Sequence, residues 1–304
     1  MASSRGISSA ALVAVLMLGP AAARAGHRQG QSVSIDDGQD PRGCGDVRIE
    51  FDNEPAARAE ETLTIPVETG KALRIEAAEH SGVLVRGADR ADFEVLVCKA
   101  APTSAQLIGI AAERRGGALS VRGPEDGDWV GYLLVTAPRA AALDIAASNG
   151  PVRLSGLSGR VAVRSENGPI SIRQSSGDID ARAENGPIAA KGDGGRLRLV
   201  TENGPIAVAL GGTSWKGEGL VARAVNGPVS LSVPKDYRSG TSVESLGHSP
   251  FHCRGEACGS LRRTWDDEHK RLELGEGPVV VRLSTENGPV SVRTGSDLDV
   301  EEDD

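Results

Sequence analysis

The chain has 304 residues, 39 of them glycine, with aromatics at 3% and a formal net charge of −8. So few aromatics and so many glycines describe a turn-rich β protein, without the Gly triplet of collagen. Its acidity supplies no basic footprint of the kind nucleic acid requires.

Taken in order, the chain opens as a secretory signal over residues 1–25: Arg5 supplies the charged start, Ala10 to Leu18 the apolar core, and Ala23-Arg24-Ala25 a small-x-small cleavage site. A membrane anchor is the alternative, but the apolar run is shorter than the ~20 residues a spanning helix needs. No later stretch is apolar enough to span, so no transmembrane segment is expected after cleavage. Residues 26–45 are polar and glycine-rich and read as a flexible lead-in. From 46 to 140 come short alternating runs such as Val47-Arg48-Ile49-Glu50-Phe51, Leu73-Arg74-Ile75-Glu76 and Phe93-Glu94-Val95-Leu96-Val97, each of strand length. Their spacing is irregular, which predicts an N-terminal β region capping a more regular stack beyond residue 140.

Asn-Gly-Pro then returns every 18 residues, at Asn149-Gly150-Pro151, Asn167-Gly168-Pro169, Asn185-Gly186-Pro187 and Asn203-Gly204-Pro205. Glycine also falls on every ninth residue from Gly150 to Gly204, and the second and fourth positions after each are apolar or small, as in Val152/Leu154, Ile170/Ile172 and Ile188/Ala190. Such a beat predicts a repeat architecture. The simplest coil holds two strands in 18 residues, giving an all-β fold, a flattened β-solenoid or β-helix with two facing parallel sheets and a thin core. In this reading Asn, Gly and Pro are structural turn residues. Glycine takes the sharp corner, proline begins a strand where no ladder N–H is missed, and stacked asparagines share amide hydrogen bonds. Asn-Gly between alternating runs also signals a tight hairpin, the competing reading. Outward on one sheet, Arg164 and Arg182 stack beside a column of Glu166, Glu184 and Glu202. The other sheet offers a flatter surface of Ser171, Ala189, Ala207 and Ala209 with Arg173 and Lys191.

The repeats extend over 141–296, with an insertion at about 235–272, and residues 297–304 form an acidic tail carrying six carboxylates. The insertion gathers Tyr237, His248, Phe251, His252, Cys253, Cys258, Trp265 and His269. Tyr237, Phe251 and Trp265 are candidates for a binding loop, since long insertions on rigid scaffolds often carry recognition. A disulfide-pinned flap over the flank is the plainer reading, and a zinc site from His248, His252, Cys253 and Cys258 is a third. For an exported chain the four cysteines, Cys44, Cys98, Cys253 and Cys258, read as two disulfides. Of three connectivities, Cys44–Cys98 with Cys253–Cys258 is favoured because the second closes a short loop. Nucleophile-elbow, zincin and phosphate-loop motifs are absent, so no catalytic residue, metal or cofactor is assigned. The toxin-type calcium nonapeptide is approached only at Gly192-Asp193-Gly194-Gly195 and does not repeat.

The coils Ser148-Asn149-Gly150-Pro151-Val152-Arg153-Leu154, Glu166-Asn167-Gly168-Pro169-Ile170-Ser171-Ile172 and Glu184-Asn185-Gly186-Pro187-Ile188 resemble the bacterial "putative adhesin" family, domains of unknown function related to the head domain of auto-transporter adhesins. Leu73-Arg74-Ile75-Glu76 and Ser81-Gly82-Val83-Leu84-Val85-Arg86-Gly87 are similar to that family's opening strands. Proline here mostly replaces the family's Asp or Ser after Asn-Gly. The resemblance implies a β-solenoid at the cell envelope and no catalytic residues. The function expected is therefore that of an exported, non-enzymatic, adhesin-like binding or structural module, periplasmic, cell-surface or secreted, with an envelope protein or glycan as partner. A β-helical carbohydrate-active enzyme and a metal-binding envelope protein are the alternatives.

Overall fold

The computed structural model describes residues 31–35, 41–78, 81–125, 127–247, 249–259, 261–265 and 269–295. The expected signal segment, half of the lead-in, His248 and the acidic tail lie outside them. The described residues are all β, with three short 3-10 turns and no α-helix. The N-terminal region supplies β1 (Gln31–Ile35), β2 (Val47–Phe51), β3 (Glu54–Pro55), β4 (Ala57–Ile65), β5 (Leu73–Ala77), β6 (Ser81–Ala88), β7 (Phe93–Ala101), β8 (Ala111–Arg115), β9 (Ala118–Arg122) and β10 (Val130–Pro138). The regular stretch gives β11 (Leu143–Ala147), β12 (Val152–Ser155), β13 (Arg160–Ser165), β14 (Ile170–Arg173), β15 (Asp178–Ala183), β16 (Ile188–Gly192), β17 (Gly194–Thr201), β18 (Ile206–Leu210), β19 (Lys216–Ala224) and β20 (Val229–Val233). Last come β21 (Ser239–Ser245), β22 (Phe251–Arg254), β23 (Arg262–Trp265), β24 (Lys270–Leu274), β25 (Glu276–Thr285) and β26 (Val290–Thr294).

Two large mixed sheets carry nearly all of these strands, one of 11 in the order β22-β26-β20-β18-β16-β14-β12-β6-β10-β7-β4 and one of 12 in the order β23-β24-β21-β25-β19-β17-β15-β13-β11-β5-β9-β8. From β11 to β20 the chain alternates between them, and up to β18 each strand pairs in parallel with the one 18 residues on: Val152↔Ile170, Ile170↔Ile188 and Ile188↔Ile206 in one sheet, Val161↔Ile179 and Ile179↔Leu197 in the other. The next coil is longer, pairing Leu197↔Leu220 and Ile206↔Val229. Side chains alternate across a strand, so one apolar set per strand faces the opposite sheet. Val152, Leu154, Val161, Val163, Ile170, Ile172, Ile179, Ala181, Ile188 and Leu197 are all buried there, in a single continuous core.

Each Asn-Gly-Pro connects strands that belong to different sheets, so it is a corner and not a hairpin. The asparagines form a ladder in which each Nδ2 donates to Oδ1 of the previous one: Asn167 to Asn149 at 2.8 Å, Asn185 to Asn167, Asn203 to Asn185, Asn226 to Asn203 and Asn287 to Asn226, each at 3.0 Å. The corner glycines stack as closely. A Cβ on Gly186 would stand 2.3 Å from the carbonyl oxygen of Gly168, and one on Gly168 2.1 Å from that of Gly150. Buried hydroxyls satisfy corner carbonyls: Ser165 Oγ donates to Gly168 O at 2.8 Å and Thr201 Oγ1 to Gly186 O at 3.1 Å.

Both ends depart from sequential stacking. At the N-terminal end β5 and β6 lie between β9 and β10 on one side and β11 and β12 on the other, and antiparallel β4, β7 and β8 finish the sheets. At the C-terminal end, residues 235–272 are not an insertion outside the pattern. β21 and β22 lie in the two large sheets, and the last strands β25 and β26 run between them and β19 and β20. Sequence spacing missed this because the chain leaves the stack, leaves room, and returns to fill it.

A third, three-stranded antiparallel sheet of β1, β2 and β3 makes a separate feature. Its Val47, Ile49 and Phe51 pack with Leu84, Cys98, Ala100, Val130, Tyr132 and Leu134 in a second core on the outer side of the 11-stranded sheet. Tyr132 is fully buried there, and burial pushes its phenol pKa up. The Cys44–Cys98 disulfide ties this region to β7.

Candidate functional site

The outer face of the 12-stranded sheet is a lattice of paired charges. Arg164 lies 3.4 Å from Asp144, Arg196 3.4 Å from Asp178, and Arg182 donates from both Nε and Nη2 to Asp180 at 3.0 Å. That hydrogen bonding, with Arg198 and Arg164 nearby, holds the Asp180 carboxyl below its ordinary range against the opposing effect of burial. Arg164 and Arg182 stack in register, as alternation requires. Their partners are aspartates on the same sheet and not the column of Glu166, Glu184 and Glu202, which runs exposed beside the asparagine ladder. Among the described residues, no three His, Cys, Asp or Glu gather as metal ligands.

The outer face of the 11-stranded sheet has another character. The outward positions are Arg153 and Ser155 on β12, Ser171 and Arg173 on β14, Ala189 and Lys191 on β16, Ala207 and Ala209 on β18, Ser230 and Ser232 on β20, Ser291 and Arg293 on β26, and His252 and Arg254 on β22. From β12 to β22 no outward residue is a carboxylate, and none is a large apolar side chain. One column reads Arg86, Ser155, Arg173, Lys191, Ala209, Ser232, Arg293 and Arg254 across eight in-register strands. Arg173 sits beside Lys191 and Arg293 beside Arg254 at one strand spacing, about 4.8 Å. Like charges so placed repel, and the serines flanking Arg293 and Arg254 supply no opposing charge.

Toward β6 this face ends in a recess of about 120 Å³ against Pro41 and Arg42. Arg42, Arg86 and Arg153 bring three guanidinium groups to its lining, Thr62, Thr136 and Ser155 bring hydroxyls, and Leu84, Leu96 and Leu134 bring apolar surface. Glu94 is the carboxylate among the lining residues, and its partner is Arg90 at 3.4 Å. Sequence reading did not find this recess, because it joins residues from the lead-in, four strands of the N-terminal region and β12.

The aromatic and cysteine residues of 235–272 are placed differently from the expected loop. Tyr237 and Phe251 are buried in the main core and are unavailable as ligand contacts. Trp265 is 50% exposed, with its ring 5.9 Å from that of Phe251 and under the guanidinium of Arg263 at 5.7 Å. On the other side of the β23–β24 hairpin Arg271 bridges Glu244 and Glu273, and Arg262 also reaches Glu273. Trp265 thus covers the end of the core, and these acids face away from it. Cys253 and Cys258 are joined as a disulfide, so neither offers a thiolate to zinc.

No protein-family model matches the chain, and no curated protein matches it. Several solved structures are similar. One, named a putative cell adhesion protein, from Clostridium sporogenes, is 9% identical with a TM-score of 0.36, over 78% of this chain and 100% of its own. A second, named a putative adhesin, from Bacteroides fragilis, is 11% identical with a TM-score of 0.29, over 78% and 97%. A third, named a putative lipid binding protein, from Parabacteroides distasonis, is 10% identical with a TM-score of 0.28, over 76% and 96%.

Proposed function

We propose that this chain is an exported, non-enzymatic, adhesin-like module of the bacterial cell envelope, a flattened β-solenoid of about 18-residue coils that binds through the outer face of its 11-stranded sheet. The alternation of strands between two sheets, at an 18-residue register from β11 to β18, supports the solenoid reading. Two disulfides suit an oxidising compartment. The observation that carries the binding assignment is the contrast between the faces. One sets aspartates against arginines at Asp144–Arg164, Asp180–Arg182 and Asp178–Arg196, and the other, from β12 to β22, presents hydroxyls and cations with no acids among them.

Envelope glycans and envelope proteins immobilised on an array test it directly. Ala189→Glu with Ala207→Glu, which puts bulk and negative charge in the middle of the face, is expected to abolish capture. Val221→Glu on the opposite face should leave it unchanged. Equal capture by both variants, or none by the wild type, sinks the assignment. Release of reducing ends from a captured glycan would favour the carbohydrate-active enzyme instead.

A further inference from the structure

We propose that the face of the 11-stranded sheet takes a linear acidic polysaccharide of the polyuronate class, laid along the cation column, with one end of the chain seated in the recess beside Arg86. The inference rests on the binding face assigned above and adds the chemistry of its ligand.

Four observations converge on it. The chain is acidic overall at −8, yet from β12 to β22 this face carries cations and no acids. Among the described residues Arg86, Lys191, Arg254 and Arg293 have no carboxylate partner, and the last two are direct neighbours in register. Unlike Arg164, Arg182 and Arg196 of the opposite face, which are paired with aspartates, these groups are left for an external anion. The column ends in a cavity with further guanidinium groups and hydroxyls, the donor set that grips carboxylates and sugar hydroxyls together. Strands repeat every ~4.8 Å, a step comparable to the advance of one pyranose in an extended chain. A sugar acid repeating along the polymer therefore meets cations at Arg86, Arg173, Lys191, Arg293 and Arg254, with Ser155, Ala209 and Ser232 at the steps between.

Other polyanions fit less well. Nucleic-acid single strands are held by aromatic stacking platforms, and no Trp, Tyr or Phe points outward between β12 and β22. An anionic bilayer is engaged most firmly when apolar side chains enter the headgroup boundary, and this face has only serine, alanine, histidine and cations to offer.

Titration of the full chain with polygalacturonate, with dextran as the neutral control, provides the test. Polygalacturonate is expected to bind and to weaken as salt rises; dextran should not bind. Lys191→Ala combined with Arg293→Ala should weaken binding about tenfold or more, Lys191→Arg should retain it, and Arg164→Ala on the opposite face should leave it unaltered. No binding of polygalacturonate overturns the proposal, as does equal loss with Arg164→Ala. It also falls if phosphatidylglycerol vesicles or single-stranded DNA bind as tightly, or if Lys191→Ala instead dissociates a dimer formed through this face. A neutral glycan or envelope protein whose binding is lost in Ala189→Glu with Ala207→Glu would overturn the acidic-ligand claim alone and leave the binding face standing.

Discussion

At the corner of each coil, asparagine and glycine do unequal work. The carboxamide of Asn185 makes two ladder bonds, but it is exposed and water can replace both. Its neighbour Gly186 is buried under the backbone of Gly168, and no side-chain motion can make space for a Cβ 2.3 Å from a carbonyl oxygen. Asn185→Ala should therefore cost about 1 kcal/mol, as net hydrogen bonds of this kind do. Gly186→Ala should cost ~3 kcal/mol or more, because the strand register itself must shift. Urea denaturation of the two variants separates them, and a larger loss for the asparagine would contradict the stacking described. Glycine sets how closely the coils approach; asparagine adds a hydrogen-bonded trim to the outside.

Among the elements, the strands from β11 to β20 were legible in the sequence, and so were flanking ones such as β2, β5 and β7, but the pairing of the flanking strands was not. Val152/Leu154, Ile170/Ile172 and Ile188/Ala190 could be read as one inward face because every coil repeats the same offsets from a glycine. β21 and β22 have no such neighbour in sequence. Val243 is buried like any core residue, but its parallel partner is Leu283, far along the chain, so no local period reveals the match. The candidate binding face was half visible: Ser171, Arg173, Ala189, Lys191, Ala207 and Ala209 fall within the repeat. The rest of the cation column, Arg86, Arg254 and Arg293, joins it only through non-sequential pairing. The three-stranded sheet was likewise unreadable as a separate layer, since Val47-Arg48-Ile49-Glu50-Phe51 alternates like any strand of the main sheets. Its attachment makes a measurable prediction about the disulfides. Cys44–Cys98 closes a separation of 54 residues and Cys253–Cys258 one of 5, and chain-entropy arguments assign about 4 and about 2 kcal/mol to loops of those sizes. Replacing Cys44 and Cys98 by serine should lower the melting temperature more than replacing Cys253 and Cys258. Faster hydrogen exchange in β2 should accompany the first change and not the second.

Across the whole molecule, stability is shared along a row of coils that touch their neighbours, as in other stacked repeats, but the row is not assembled in chain order. β25 has β19 on one side and β21 on the other, and β26 has β20 and β22. A chain ending at Gly275 keeps every residue of β21 and β22 and still loses the strands that connect them to the stack. Such a truncation should leave β11 to β18 protected from hydrogen exchange while β21, β22 and β24 exchange as if unfolded. If protection in β21 and β22 survives, they must be held by something besides β25 and β26.

The same arrangement fixes when the fold closes. Residues 276–294 follow β21 and β22 in the chain, and until they dock, β19 and β20 face β21 and β22 across a vacant berth lined on both sides by unpaired ladder groups. Closing it needs contacts between strands distant in sequence, and such closures are slow. The berth has the dimensions of one coil of this same protein, so the species most able to occupy it in error is the C-terminal coil of a second chain. Quality control of this fold thus falls on β25 and β26, which serve as the bolt that locks β21 and β22 to the row.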